Sequence, residues 1–75
     1  MMFTLREAGA AIRDAREKQG LTQAELASRA RVSRSFIVDL ESGKPTVEAS
    51  KLFDTAQALG FEIALRSMGT GEVRW

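Results

Sequence analysis

The sequence predicts a mainly α domain, four helices followed by one C-terminal β-strand that pairs across a homodimer. Three observations carry this prediction. Threonines and a serine open successive segments, and glycines close them. Within those segments the apolar residues recur every three or four positions, which places them on one face of a helix. From residue 61 the apolar period drops to two, that of a half-buried strand.

The helix starts are the clearest marks. "TLRE" at 4–7 and "TQAE" at 22–25 both fit a capping box. In that motif the Thr side chain accepts from a free backbone N–H, and the Glu reaches back to the Thr amide. Ser33 is a third N-cap candidate. Gly20, Gly43 and Gly60 each follow a periodic segment and suit the left-handed residue beyond a helix end. The first helix then covers roughly residues 5–19, with Leu5, Ala8, Ile12 and Ala15 on one face. Gly9 lies inside it at a cost of about 1 kcal/mol relative to Ala, which fits a close helix contact. The second helix covers 23–30 and turns Leu26, Ala27 and Ala30 inward. The third covers 34–42 with Ile37 and Leu40 inward, and the fourth 48–59 with Leu52, Phe53, Ala56 and Leu59 inward. Pro45 and Thr46 occupy the loop before the fourth helix, and Val47 plugs the core from there.

"FEIALRS", residues 61–67, alternates Phe61, Ile63 and Leu65 against Glu62, Ala64 and Arg66. A single strand leaves its backbone unsatisfied, and an exposed apolar edge invites pairing. The simplest partner is the same strand of a second copy, in a two-stranded antiparallel ribbon across a two-fold axis. Phe61, Ile63 and Leu65 are therefore the dimerisation residues. A further helical turn packing Phe61 and Leu65 is the competing reading. Residues 1–67 form one domain that carries this dimerisation strand at 61–67 and a motif at 22–42, and 68–75, with two glycines, form a flexible tail.

Composition narrows the function. At 75 residues the chain is one small domain, marginal alone. It contains neither Cys nor His, so disulfides, thiolate metal sites and the commonest general base are absent. No constellation of the remaining titratable residues reads as catalytic, and we expect neither enzyme activity nor a cofactor. Association is the remaining stabiliser. The net charge of +1 is only weak support for nucleic acid, and the cations Arg29, Arg31, Arg34 and Lys44 stand against Asp39 and Glu41. There is no membrane-length apolar run and no signal peptide, so a cytoplasmic protein is expected.

The stretch "VSRSFIVDLESGK", residues 32–44, holds the motif. Phe36, Ile37 and Val38 stand side by side, too many for one buried helix face. Only Arg31, Val32 and Ser33 join the second helix to the third. A short helix, a tight turn and a second short helix make a helix-turn-helix, whose second helix enters the DNA major groove. A plain helical hairpin with solvated serines has the same outline. In the DNA reading, Ser33, Arg34 and Ser35 lie at the end that points into the groove. Arg34 can donate two bonds to guanine O6 and N7, and Val38 can touch a thymine methyl. Gln23, at the start of the second helix, is placed to bind a backbone phosphate.

"GLTQAELASRARVSRSFIVDLESGK", residues 20–44, resembles the Xre/Cro-type helix-turn-helix of phage repressors and bacterial regulators. Leu21, Thr22, Gln23, Leu26, Ala27, Val32, Ser33, Ile37, Leu40, Glu41, Gly43 and Lys44 carry the likeness. The resemblance implies a four-helix Cro/repressor-type domain. It implies a phosphate-binding role for Gln23, base-reading roles for Ser33, Arg34, Ser35 and Asp39, and a backbone contact from Lys44. It also implies a structural ion pair between Arg16 and Glu41. Arg31 departs from the family's frequent Gly and adds a candidate phosphate ligand. Residues 43–67, "GKPTVEASKLFDTAQALGFEIALRS", further resemble the second half of HipB-like antitoxins, in which a strand pairs across the dimer. That resemblance implies a dimeric repressor of a pseudo-palindromic operator that is also the antitoxin of a HipA-type kinase toxin. It makes Trp75 a candidate toxin contact, with packing on its own dimer as the other reading. A stand-alone, phage-like repressor without a toxin fits the same DNA chemistry, and an interaction module without DNA binding is a third possibility.

Overall fold

The structure is a computed structural model that describes residues 4–44 and 47–63, and the backbone of 65–66 and 73–74. Four helices form the helix-turn-helix domain: α1 Leu5–Lys18, α2 Gln23–Ala30, α3 Arg34–Glu41 and α4 Ala49–Ala58. Their starts follow the cap residues. Thr22 Oγ1 accepts from the Glu25 amide at 3.0 Å while the Thr22 amide donates to Glu25 Oε1 at 2.8 Å, a complete capping box. That backbone donor, and the Thr22 hydroxyl after it, hold the Glu25 carboxyl below the usual carboxylate range. At Thr4 the box is half-made. Thr4 Oγ1 accepts from the Glu7 amide at 3.1 Å, but the Glu7 carboxylate takes the Thr4 hydroxyl at 3.2 Å. Ser33 Oγ accepts from the Phe36 amide at 3.0 Å and starts α3.

The observed ends of α1 and α3, and both ends of α4, fall one residue inside the expected ones. In each case the flanking residue is a cap, where the regular ladder gives out. Gly20, Gly43 and Gly60 take φ of 70°, 80° and 83°, the left-handed conformation expected of them.

The core gathers Ile12, Leu21, Leu26, Ala27, Ile37, Leu40, Ala56 and Leu59, with Val32, Phe36, Val47 and Leu52 half-buried against it. One expected core residue does not belong to it. Phe53 is 49% exposed, and Thr55 is fully buried on the inward face of α4. The buried stripe of α4 runs through 52, 55, 56 and 59, the i, i+3, i+4, i+7 spacing of one face, and Phe53 lies a position off it. Thr55 is tolerated inside because its hydroxyl donates to the Lys51 carbonyl at 2.7 Å.

Gly9 sets the approach of α1 to α3. A Cβ there would collide with the Leu40 carbonyl oxygen and stand 3.1 Å from its carbon. The two backbones therefore meet where a side chain would hold them apart.

The extended run expected over 61–67 is shorter than its pattern. Phe61, Glu62 and Ile63 are in no strand. Strand β1, Leu65–Arg66, lies antiparallel to β2, Val73–Arg74, of the same chain, with Leu65 opposite Arg74 and Arg66 opposite Val73. The reading of 68–75 as a tail had not separated β2 from it. Pro45, Thr46 and Trp75 lie outside the described residues. No described helix is long and apolar enough to cross a membrane, and no described cluster of acidic residues could hold a metal ion.

Candidate nucleic-acid interface

The turn between α2 and α3 is set by Arg31. Its φ of 58° and ψ of 42° place it in the left-handed region. The Val32 amide then donates to the Ala27 carbonyl at 3.0 Å, closing α2 and dropping Val32 onto the core. Ser33 follows in an extended conformation and caps α3 at once. Three residues thus reverse the chain and leave the N-terminal end of α3 open.

Helix α3 has two unlike faces. Ile37 and Leu40 are buried at 0% and 1% exposure, and Glu41 also turns inward. Ser35, Val38, Asp39 and Ser42 share the opposite stripe by the i, i+3, i+4, i+7 rule. Arg34 and Ser35 are exposed, and Val38 is 39% exposed. The crowded run Phe36–Ile37–Val38 therefore divides three ways. Ile37 is core, Val38 faces out, and Phe36 is half-buried at the α4 side, where the Lys51 ammonium stands 5.9 Å from its ring centroid. The Ser33 hydroxyl already accepts from Phe36, so its O–H remains available as a donor.

At the other end of α3, Lys44 folds back on Asp39. Its amide donates to the Asp39 carbonyl at 3.0 Å and its ammonium to Oδ2 at 3.4 Å. Both side chains are about half exposed, so this pair contributes little and exchanges readily for another partner.

The best-defined polar feature is the junction of α1, α2 and α3. Arg16 donates from Nε to Glu41 Oε2 at 2.7 Å and from Nη2 to Oε1 at 3.1 Å. Its Nη1 donates to the Leu21 carbonyl at 2.8 Å. The Glu41 hydrogen bond raises the Arg16 pKa above its ordinary value despite the opposing effect of burial. This fork ties the end of α3 to α1 and to the loop before α2. Gln23 joins it, donating from Nε2 to Glu41 Oε1 at 3.2 Å. Gln23 is thus half-buried and anchored rather than freely solvated.

Of the residues expected to act on DNA, Gln23 and Val38 line one cleft of about 380 Å³, together with Arg16, Glu41, Arg13 and Ser42. Ser33, Arg34 and Ser35 stand at the start of α3, Arg31 at the turn, and Asp39 with Lys44 near its end. The sequence reading did not single out Arg13 or Ser42. The available signal was spacing, since Arg13 lies one turn before Arg16 on α1. Phe61 and Ile63, expected to make the dimer contact, are 55% and 37% exposed and line a second groove of about 300 Å³ with Phe53, Gln57 and Glu62. The side chain of Leu65 is outside the described residues.

The chain is similar to proteins of known type. A family described as helix-turn-helix matches residues 12–65. An uncharacterized HTH-type transcriptional regulator of Sinorhizobium fredii is 46% identical over 61 residues, 81% of this chain and 80% of that protein. The restriction-modification controller protein C.AhdI from Aeromonas hydrophila superposes with a TM-score of 0.70 at 31% identity, over 77% of this chain and 88% of that one. A chain of a HipA-HipB-O2-O3 complex superposes with a TM-score of 0.82, and so does one of a HipB-O4 20mer complex. Each shares 20% identity, over 91% of this chain and 96% of that one, a likeness of fold.

Proposed function

The chain belongs to the Xre-type helix-turn-helix family of DNA-binding transcriptional regulators, and on that premise we propose that it is a homodimeric, sequence-specific repressor that reads its operator with α3. The observation that carries this reading is the unlike faces of α3, one buried through Ile37 and Leu40, the other a small, solvent-facing stripe of Ser35, Val38 and Asp39. In a major groove, Arg34 reads guanine, Val38 meets a thymine methyl, and Ser33, Ser35 and Asp39 take base edges or neighbouring phosphates. Gln23, Arg31 and Lys44 hold the backbone and carry no base preference. Two copies joined through Phe61, Ile63 and Leu65 place two recognition helices on half-sites about one helical turn, ~34 Å, apart. Action on the operator puts the protein in the cytoplasm.

Binding to DNA from the region upstream of its own gene tests this reading. Arg34→Ala is expected to weaken operator binding by about 1–3 kcal/mol and to relax preference at one base position. Gln23→Ala is expected to weaken every sequence alike. Uniform weakening by Arg34→Ala, or no shift by a folded dimer at low salt, contradicts the assignment.

For the biological setting we propose the antitoxin of a HipA-like kinase toxin, autoregulating a shared operon. The support is the fold shared over nearly the whole chain with the HipB complexes. In that setting Trp75, an aromatic near the C-terminal end, is the candidate toxin anchor. The alternative, a stand-alone regulator without a toxin, is favoured by the higher identity to the controller protein C.AhdI. A kinase-like reading frame beside the gene, and capture of its product that is lost on deleting Trp75, separates the two.

A further inference from the structure

We propose that the cleft between α1 and the end of α3 binds one phosphodiester of the DNA backbone, with Arg13 as its cationic ligand facing Gln23. The proposal rests on the DNA-binding reading above and adds to it a residue that neither the motif nor the family resemblance supplies.

Charge inside the cleft favours an anion. Its lining is Arg13 and Arg16 from α1, Gln23 from α2, Val38 and Glu41 from α3, and Ser42 just beyond it. Arg16 and Glu41 cancel in their two-pronged pair, which leaves Arg13 as the charge with no counter-charge within the lining itself. Glu17, outside the lining, stands 3.4 Å from Arg13 Nε and 3.9 Å from Arg16 Nη2. The Arg13–Glu17 pair is one turn apart on one helix, 62% and 55% exposed, so it is easily exchanged. The terminal nitrogens of Arg13 donate to no described residue and keep their full fork for a phosphate.

The opposite wall is oriented by Glu41. A carboxylate only accepts, so the Gln23 group turned toward it must be the amide nitrogen, not the oxygen. One of its two hydrogens is spent on Glu41 and the other remains for a phosphate oxygen. The Ser42 hydroxyl is unsuited to the same task, because it donates to the Asp39 carbonyl at 2.8 Å. Arg13 and Gln23 thus each bring a free donor to the cleft, while Arg16 is held by its bonds to Glu41 and Leu21. It lies beside Val38, on the outward face of α3, where the DNA backbone bordering the groove would pass.

Arg13→Gln keeps a good helix former at an exposed site and removes only the charge and the fork. It is expected to weaken binding to operator and unrelated duplex by the same factor, roughly tenfold for the charge-assisted hydrogen bond lost from each copy. The salt dependence should become shallower by about 0.9 per copy, about 1.8 for the dimer, in the logarithmic slope. Lys18→Gln removes a charge from the same helix outside the cleft and should leave the slope unchanged. Replacing operator phosphates one at a time by neutral methylphosphonates should reveal one position per half-site that weakens the wild type but neither Arg13→Gln nor Gln23→Ala. A slope for Arg13→Gln equal to the wild type or to Lys18→Gln overturns the proposal, as does the lack of a shared position. Inorganic phosphate at matched ionic strength should not compete. Competition seen with the wild type and lost with Arg13→Gln would make this a free-phosphate site instead. If the wild type binds no DNA at low salt, the parent reading fails and takes this one with it, an outcome distinct from a wild type that binds while Arg13 is silent.

Discussion

Arg31, a proposed phosphate ligand, sets the needs of the backbone against those of binding. Its left-handed conformation places Cβ unfavourably and costs roughly 1–2 kcal/mol. Gly would remove that strain but would lose about 0.5–1 kcal/mol through its freer unfolded chain. Arg31→Gly is therefore expected to leave stability level or raise it by up to about 1.5 kcal/mol, read by urea unfolding. The same change should weaken DNA binding to all sequences and reduce the salt slope by about 0.9 per copy, about 1.8 for the dimer. A clear loss of stability would show that the Arg31 side chain supports the fold, and unchanged binding would remove it from the interface. At this scale the sequence was legible where a residue acts on its neighbours. Thr22 and Ser33 cap helices that begin beside them, and their hydroxyls reach only three residues along. The Arg16–Glu41 pair bridges 25 positions, so no local period contains it; family resemblance alone pointed to it. Phe53 is misplaced, and Thr55 passed over, because a phase error of one residue moves a side chain 100° around a helix. The buried Thr hides its polarity in a bond that hydropathy does not register. The Gln23 anchor on Glu41 likewise depends on packing between α2 and α3.

Helices α2 and α3 are eight residues each, too short to persist alone in water. Their geometry comes from what they pack against, and for α3 the decisive contact is with α1 at Gly9. Helix propensity and packing make opposite predictions there. Ala is favoured over Gly by about 1 kcal/mol in an isolated helix. In this fold its methyl would meet the Leu40 carbonyl, a backbone group that also accepts from the Gly43 amide at 3.0 Å and so cannot easily retreat. Overpacking of this kind costs about 1–3 kcal/mol, occasionally more. Gly9→Ala is expected to lower stability, and to weaken DNA binding further because α3 would be pushed from its seat. A rise in the thermal midpoint would mean that α1 and α3 separate at little cost. The four helices were readable from caps and periods to within one residue at each end. The short β1–β2 pair was not, because two residues per strand make no period. The sequence alternation over 61–67 marks which side chains are apolar, but among the described residues its backbone pairs at 65–66 and not at 61–63.

For the whole molecule the governing constraint is size. A 75-residue chain buries a limited share of its surface, and disulfides are unavailable to it. Yet Phe53, Phe61 and Ile63 remain exposed and line one groove, on α4 and the segment that follows it. Isolated exposed apolar residues are ordinary, but three bordering one groove call for a cover. In the proposed function a second copy is that cover, and it also serves the DNA chemistry. One α3 offers a handful of contacts, whereas two linked copies bind the second half-site at high effective concentration, which multiplies affinity by about 10²–10⁴. Ile63→Glu puts a charge at the rim of this groove without touching the buried core. It is expected to halve the mass seen by sedimentation, to remove the concentration dependence of the thermal midpoint, and to retain the helical circular dichroism. Operator affinity should fall by at least about a hundredfold, while half-site contacts made through Arg34 keep their base preference. A sedimentation coefficient equal to the wild type would place the dimer contact elsewhere, and the exposed face of Phe53 and Phe61 would then need another partner.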